Sequence, residues 1–100
     1  MITDYTSQQI VNGIDAHIRY HGGTYSSWYC GISADANDRL LNGHSANSQA
    51  NAARYWDAGS EMAAREIEKY FLDRGCQGGG GGGYNPRQVY VYRISPTTRE

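Results

Sequence analysis

The chain has 100 residues, enough for a single domain, residues 1–100, with one modest core. Its formal net charge is −1, from nine Lys and Arg against ten Asp and Glu, which argues against a protein that coats nucleic acid by charge alone. No apolar run approaches the roughly 20 residues needed to span a bilayer, so no membrane association is expected.

Near the N-terminus, Thr6 or Ser7 can cap a helix whose apolar positions are Ile10, Ile14 and Ile18. Gly22-Gly23 ends it. Trp28 to Ser33 reads as a strand: Trp28, Cys30 and Ile32 share one face, and Tyr29, Gly31 and Ser33 share the other. Asp35 caps a short helix that runs through Leu41 and closes at Gly43. Ser45 to Asn51 is a polar loop, and Ala53 to Asp57 is a candidate short strand.

Ser60 caps the strongest helix, Glu61 to Arg74, with Gly75 at its C-terminal end. Its apolar side carries Ala63, Ala64, Ile67, Tyr70 and Phe71. Six glycines follow without a break, Gly78 to Gly83. Such a run is either a flexible connector or a tight loop that presents N–H groups to an anion or passes close to another segment. Val89 to Ile94 is the clearest strand, and Pro96 stops it. The order helix, strand, helix, strand, helix, strand predicts an α+β fold. In it a small three-stranded sheet, at least partly antiparallel, packs with about three helices.

Cys30 and Cys76 do not form a C-x-x-C pair. A reduced, cytoplasmic setting without a secretory signal is the expectation, with a single Cys30–Cys76 disulfide as the alternative. His17 and His21 have metal-ligand spacing but no evident third ligand.

The segment Tyr29-Cys30-Gly31-Ile32-Ser33, followed by Arg39-Leu40 and His44, resembles the second half of the GIY-YIG nuclease signature. In that family a Y-x-G strand leads into a helix with an essential arginine and then a histidine or tyrosine. A later strand precedes a helix bearing a metal-binding glutamate. Tyr55-Trp56 could be that later strand, Ala64-x-x-x-Glu68 is similar to the alanine-to-glutamate helix pattern, and Asn85 could stand for a late asparagine. The resemblance covers about residues 28 to 85. Two features depart from it. No G-I-Y strand precedes Tyr29, and His44 lies five residues after Arg39 where four are expected. Val89 to Tyr92 is a candidate to fill the missing strand's slot, as an antiparallel partner of Trp28 to Ser33. The whole chain also resembles small phage-type proteins with a glutamate helix, a glycine-rich stretch and a V-Y-x-Y ending.

The resemblance implies phosphodiester hydrolysis of nucleic acid. Glu68 would hold one Mg²⁺, with waters completing its shell. Arg39 would bind charge developing on the phosphate, and Tyr29 with His44 would orient or deprotonate the attacking water. Gly31 would let the backbone approach the phosphate, with Asn85, Tyr90 and Tyr92 as further substrate-binding candidates. Helical geometry does not choose between Glu66 and Glu68, and Arg39 could instead pair with Asp35 at i−4. The alternative function is a non-catalytic binding protein, such as a small phage or mobile-element regulator of a host protein or nucleoprotein complex. Nine tyrosines and two tryptophans favour such interfaces.

Overall fold

The computed structural model describes residues 5–79 and 83–98. Helix α1, Tyr5–His21, is followed by a 3₁₀ turn at Tyr25–Ser27 and strand β1, Trp28–Ser33. Next come the single turn α2, Ala36–Asp38, and a π-type turn, Arg39–Gly43. Strand β2 is Arg54–Asp57, helix α3 is Glu61–Asp73, and strand β3 is Gln88–Arg93. The six expected elements all form in the expected order, giving an α+β fold. Thr6 and Ser7 lie inside α1 rather than at its cap, and Ser7 is buried.

The sheet is antiparallel throughout, in the order β1-β3-β2. The last strand is therefore the central one. Its pairing with β1 sets Tyr29 opposite Tyr92, Gly31 opposite Tyr90 and Ser33 opposite Gln88. Its pairing with β2 sets Tyr55 opposite Tyr90. A strand at the end of the chain can take this place because antiparallel pairing needs only a free edge on each neighbour.

Strand alternation sends two different sets of side chains to the two faces. On one face Trp28, Cys30, Ile32, Val89 and Val91 pack with Ile10, Val11, Ile14 and Ile18 of α1 and with Ala64, Ile67 and Phe71 of α3. On the other, Tyr29, Tyr90 and Tyr92 pack with Ala36, Leu40 and Ala46. Both faces are covered, so all six residues of β1 are buried. Helix α3 is set by its ends: the Ser60 hydroxyl accepts from the Ala63 N–H, and Gly75 takes a positive φ of 119°. Among the described residues no helix is long and apolar enough to cross a membrane.

Cys30 and Cys76 are buried free thiols, not a disulfide. Burial pushes the Cys30 thiol well up and the Cys76 thiol up to about 11, which makes both poor nucleophiles. His17 uses its Nε2 on the Ala52 carbonyl, 2.6 Å away. No group of three or more His, Cys, Asp and Glu among the described residues could hold a metal.

Phe71 is fully buried on the sheet-facing side of α3. Phe71→Ala should cost roughly 3–5 kcal/mol in urea unfolding. A loss below about 1 kcal/mol would mean the site collapses around the smaller side chain, against the packing described.

Candidate functional site

The tyrosine face of the sheet is built around a glycine. A Cβ on Gly31 would stand 2.5 Å from both Cζ and Oη of Tyr90, so the Tyr90 ring occupies the place a side chain would need. This corrects the expectation that Gly31 opens the backbone to a phosphate: its space is taken by the cross-strand neighbour. Tyr90 thereby lies flat against the strand, 1% exposed.

His44 closes over this surface. Its Nε2 is 2.8 Å from the Tyr90 hydroxyl and its Nδ1 is 3.1 Å from the Tyr92 hydroxyl. A neutral imidazole has one N–H and one bare nitrogen, so one tyrosine accepts from the ring while the other donates to it. That double engagement lets a polar ring sit at 5% exposure. The His44 ring also lies against Tyr29, with centroids 4.6 Å apart, and Tyr29 is near-parallel to Tyr92 at 5.1 Å. Tyr90 and Tyr92 were candidates for contact with substrate. Buried and bonded to His44, they instead form the floor that positions it.

The π-type turn explains the spacing between Arg39 and His44. The His44 N–H donates to the Arg39 carbonyl at 3.0 Å, an i→i+5 bond that takes one residue more than an α-helical turn. Asp35 starts this segment by accepting from the Asp38 N–H at 3.1 Å. Its carboxylate is used as a cap, and the Asp35–Arg39 ion pair does not form: Arg39, half-buried, has no carboxylate partner among the described residues. The Arg39 stem instead folds back toward Gly43, where a Cβ would meet its Cδ at 2.9 Å.

Glu68 lies on α3. It is half-buried and without an ion-pair partner among the described residues. Burial raises its carboxyl above the ordinary range, with Arg65 opposing. Glu66 lines a separate surface groove with Glu61, Met62, Arg65 and Lys69. Burial pushes the Tyr90 phenol far above its ordinary value, with smaller contributions in the same direction from Tyr29, Cys30 and Glu68 and an opposing one from the Arg39 guanidinium.

The glycine run joins at the edge of β1. Gln77 makes a parallel bridge to Tyr29 through two backbone hydrogen bonds, Cys30 N–H to Gln77 and Gln77 N–H to Trp28. A Cβ on Gly78 would stand 2.5 Å from Leu72 Cδ2 and 2.8 Å from the Cys30 carbonyl. The Gly79 N–H donates to the Tyr29 hydroxyl at 3.1 Å. At Gly78 and Gly79 the run passes close to another segment, one of the two readings of its sequence; Gly80 to Gly82 lie outside the described residues.

The structure brings together Tyr29, Gly31, His44, Tyr90 and Tyr92; Arg39 lies on the turn that leads to His44, and Glu68 lies on α3, the helix that packs on the other face. Asn85 is not part of the group. It is exposed, has a positive φ of 49°, and lines a polar groove of about 320 Å³ with Ala34, Asp57, Arg87 and Gln88. Two participants were not evident beforehand. The Gly79 contact had only the glycine run as its signal, and the His44 clamp depends on two tyrosines of a strand 46 and 48 residues away. Comparisons with family models, with curated proteins and with solved structures find nothing that matches this chain.

Two substitutions test this arrangement. Gly31→Ala forces a methyl into the Tyr90 ring and should destabilise by roughly 1–3 kcal/mol or more in urea unfolding. Glu68→Gln removes a carboxylate whose ionised form the fold disfavours. The raised folded pKa means that the stabilising form is the neutral one, present at low pH and lost as pH rises. Glu68→Gln should therefore melt above wild type at pH 7, with the gap closing as the pH falls through the ordinary carboxyl range. A variant that melts lower at pH 7 would mean that Glu68 has a favourable partner.

Proposed function

We propose that this domain is a divergent, GIY-YIG-like phosphodiesterase that cleaves nucleic acid with Mg²⁺. The observation that carries the reading is that Arg39, on the segment that leads to the buried His44, and Glu68, on α3, are both half-buried and neither forms an ion pair among the described residues. An unpaired cation suits a phosphate, and a partly desolvated, unpaired carboxylate suits a divalent ion.

The donor set fits Mg²⁺ better than Zn²⁺. Structural and catalytic zinc sites need three or four protein ligands, whereas Mg²⁺ is commonly held by one or two carboxylates, waters and substrate oxygens. Glu68 is the residue that would hold it. When bound, Mg²⁺ polarises the phosphate and stabilises the leaving oxygen. Arg39 binds the phosphate and offsets the charge that builds on its oxygens as the bond to the leaving group breaks. Tyr29 accepts from the Gly79 N–H, which leaves its own O–H to donate, and in this reading that O–H orients the attacking water. His44 has a different part from the one expected of it. With both nitrogens engaged by Tyr90 and Tyr92, it acts by fixing the Tyr29 ring rather than by taking a proton from substrate.

The second reading is a non-catalytic regulator of a host protein or nucleoprotein complex. Tyr5, Tyr20, Tyr55 and Tyr84 support it with exposures of 75%, 85%, 44% and 93%. Those side chains are spread over α1, β2 and the loop before β3, while Tyr90 and Tyr92 are spent in the interior on His44.

Plasmid and oligonucleotide cleavage with Mg²⁺ or Mn²⁺ tests the proposal. Arg39→Ala should lose a thousandfold or more in rate with little change in melting temperature, since a positioned cation contributes roughly 3 kcal/mol or more to a phosphoryl transition state. Glu68→Gln should be inactive although more stable than wild type at pH 7. Wild-type protein inert with both metals on every substrate would decide for the binding protein.

A further inference from the structure

A groove of about 380 Å³ lies between the α2 segment and β2. Leu40, Leu41 and Ala46 form one wall and Tyr55 the other, with Asn37 and Ser48 also lining it. The volume falls within the roughly 300–1,000 Å³ of small-molecule sites. Leu41 is 51% exposed and Tyr55 44% exposed, so two large apolar side chains face an open cleft.

The groove is continuous with the site described above. Tyr55 stands directly opposite Tyr90, which stands opposite Gly31, so the three positions make one row on one face of the sheet. Leu40, in the opposite wall, packs in the same cluster as Tyr29, Tyr90 and Tyr92. It is also the residue next to Arg39.

We propose that this groove takes one unpaired nucleobase, stacked on Tyr55, and that the substrate class of the site is single-stranded nucleic acid. The inference rests on the phosphodiesterase reading for the phosphate at Arg39. In a strand the base and the phosphate are covalent neighbours, and here Arg39 is next in sequence to Leu40 of the groove wall, while Arg54, next to Tyr55, lines the groove itself. A base paired inside a duplex is stacked on both sides and does not enter a cleft, whereas an unpaired one does. The charge balance agrees: with a net charge of −1, the chain lacks the excess of cations that duplex binding draws on, while base stacking requires no such excess. Asn37 stands at the rim with a side-chain amide that makes no hydrogen bond among the described residues. It offers both a donor and an acceptor to a base edge.

The test is binding in EDTA, where a metal-dependent enzyme does not cleave, read by fluorescence anisotropy. The probes are a short labelled DNA strand, the same strand in RNA, and the DNA duplex. Wild type should bind a single strand, of either sugar, more tightly than the duplex. Tyr55→Ala should weaken single-strand binding roughly 5- to 150-fold, Tyr55→Phe should retain it, and duplex affinity should not follow the ring. Leu41→Ala, on the opposite wall, gives an independent arm and should also weaken it. Duplex bound as tightly as single strand, no binding of either, or single-strand affinity indifferent to both Tyr55→Ala and Leu41→Ala would overturn the inference. Cleavage separates the two readings. A Tyr55→Ala protein that cuts single strand at the wild-type rate removes the base groove and leaves the phosphodiesterase. Single-strand binding that depends on Tyr55, in a wild type that cuts nothing, keeps the groove and removes the phosphodiesterase.

Discussion

Tyr90 lies across the empty side-chain position of Gly31, and most of the candidate site follows from that contact. The ring can reach this place only because the residue opposite it has no Cβ. Once there, its hydroxyl meets His44, and Tyr92 two residues on meets the other nitrogen of the same ring. His44 then fixes the loop after the π-type turn, which in turn fixes where Arg39 leaves the backbone. A buried imidazole with two phenol partners is a costly arrangement to break, because losing one partner strands a polar atom in the interior.

The same contact ties the ends of the chain to its middle. Strand β3 is last in sequence and central in space, so β1 and β2 meet only through it. The tyrosine face is assembled from β1, β3 and the α2 segment, and no single stretch of sequence contains it. Gln77 to Gly79 pass along the edge strand β1, where the Gly79 N–H reaches the Tyr29 hydroxyl. The tyrosine cluster is thus a meeting of four segments, β1, β3, the α2 segment and Gln77 to Gly79.

Burial sets which groups remain available for chemistry. Tyr90, Tyr92 and His44 satisfy one another and are closed to solvent. Arg39 and Glu68 are only partly buried and are not spent on ion pairs among the described residues. A fold that optimised stability alone would pair such charges or expose them. Glu61 with Arg65 and Lys69 with Asp73 pair along α3, whereas Glu66 and Glu68 on the same helix form no ion pair among the described residues.

The elements themselves were legible because each carries a local signal. The Ile10, Ile14, Ile18 stripe, the Ser60 cap, the apolar face of Ile67 and Phe71, and the alternation in β1 and β3 are properties of neighbouring residues, and local sterics and hydrophobic periodicity suffice to read them. Those same patterns imply an α+β fold and make β1 and β3 natural partners. Tertiary structure alone decided what each residue does. It filled the space at Gly31 with Tyr90, turned His44 into the partner of two tyrosines and spent Asp35 on a cap. These outcomes depend on strand register and on which helix face meets which sheet edge. Both are long-range pairings, and a one-residue slip in register would turn every tyrosine of β3 to the other face.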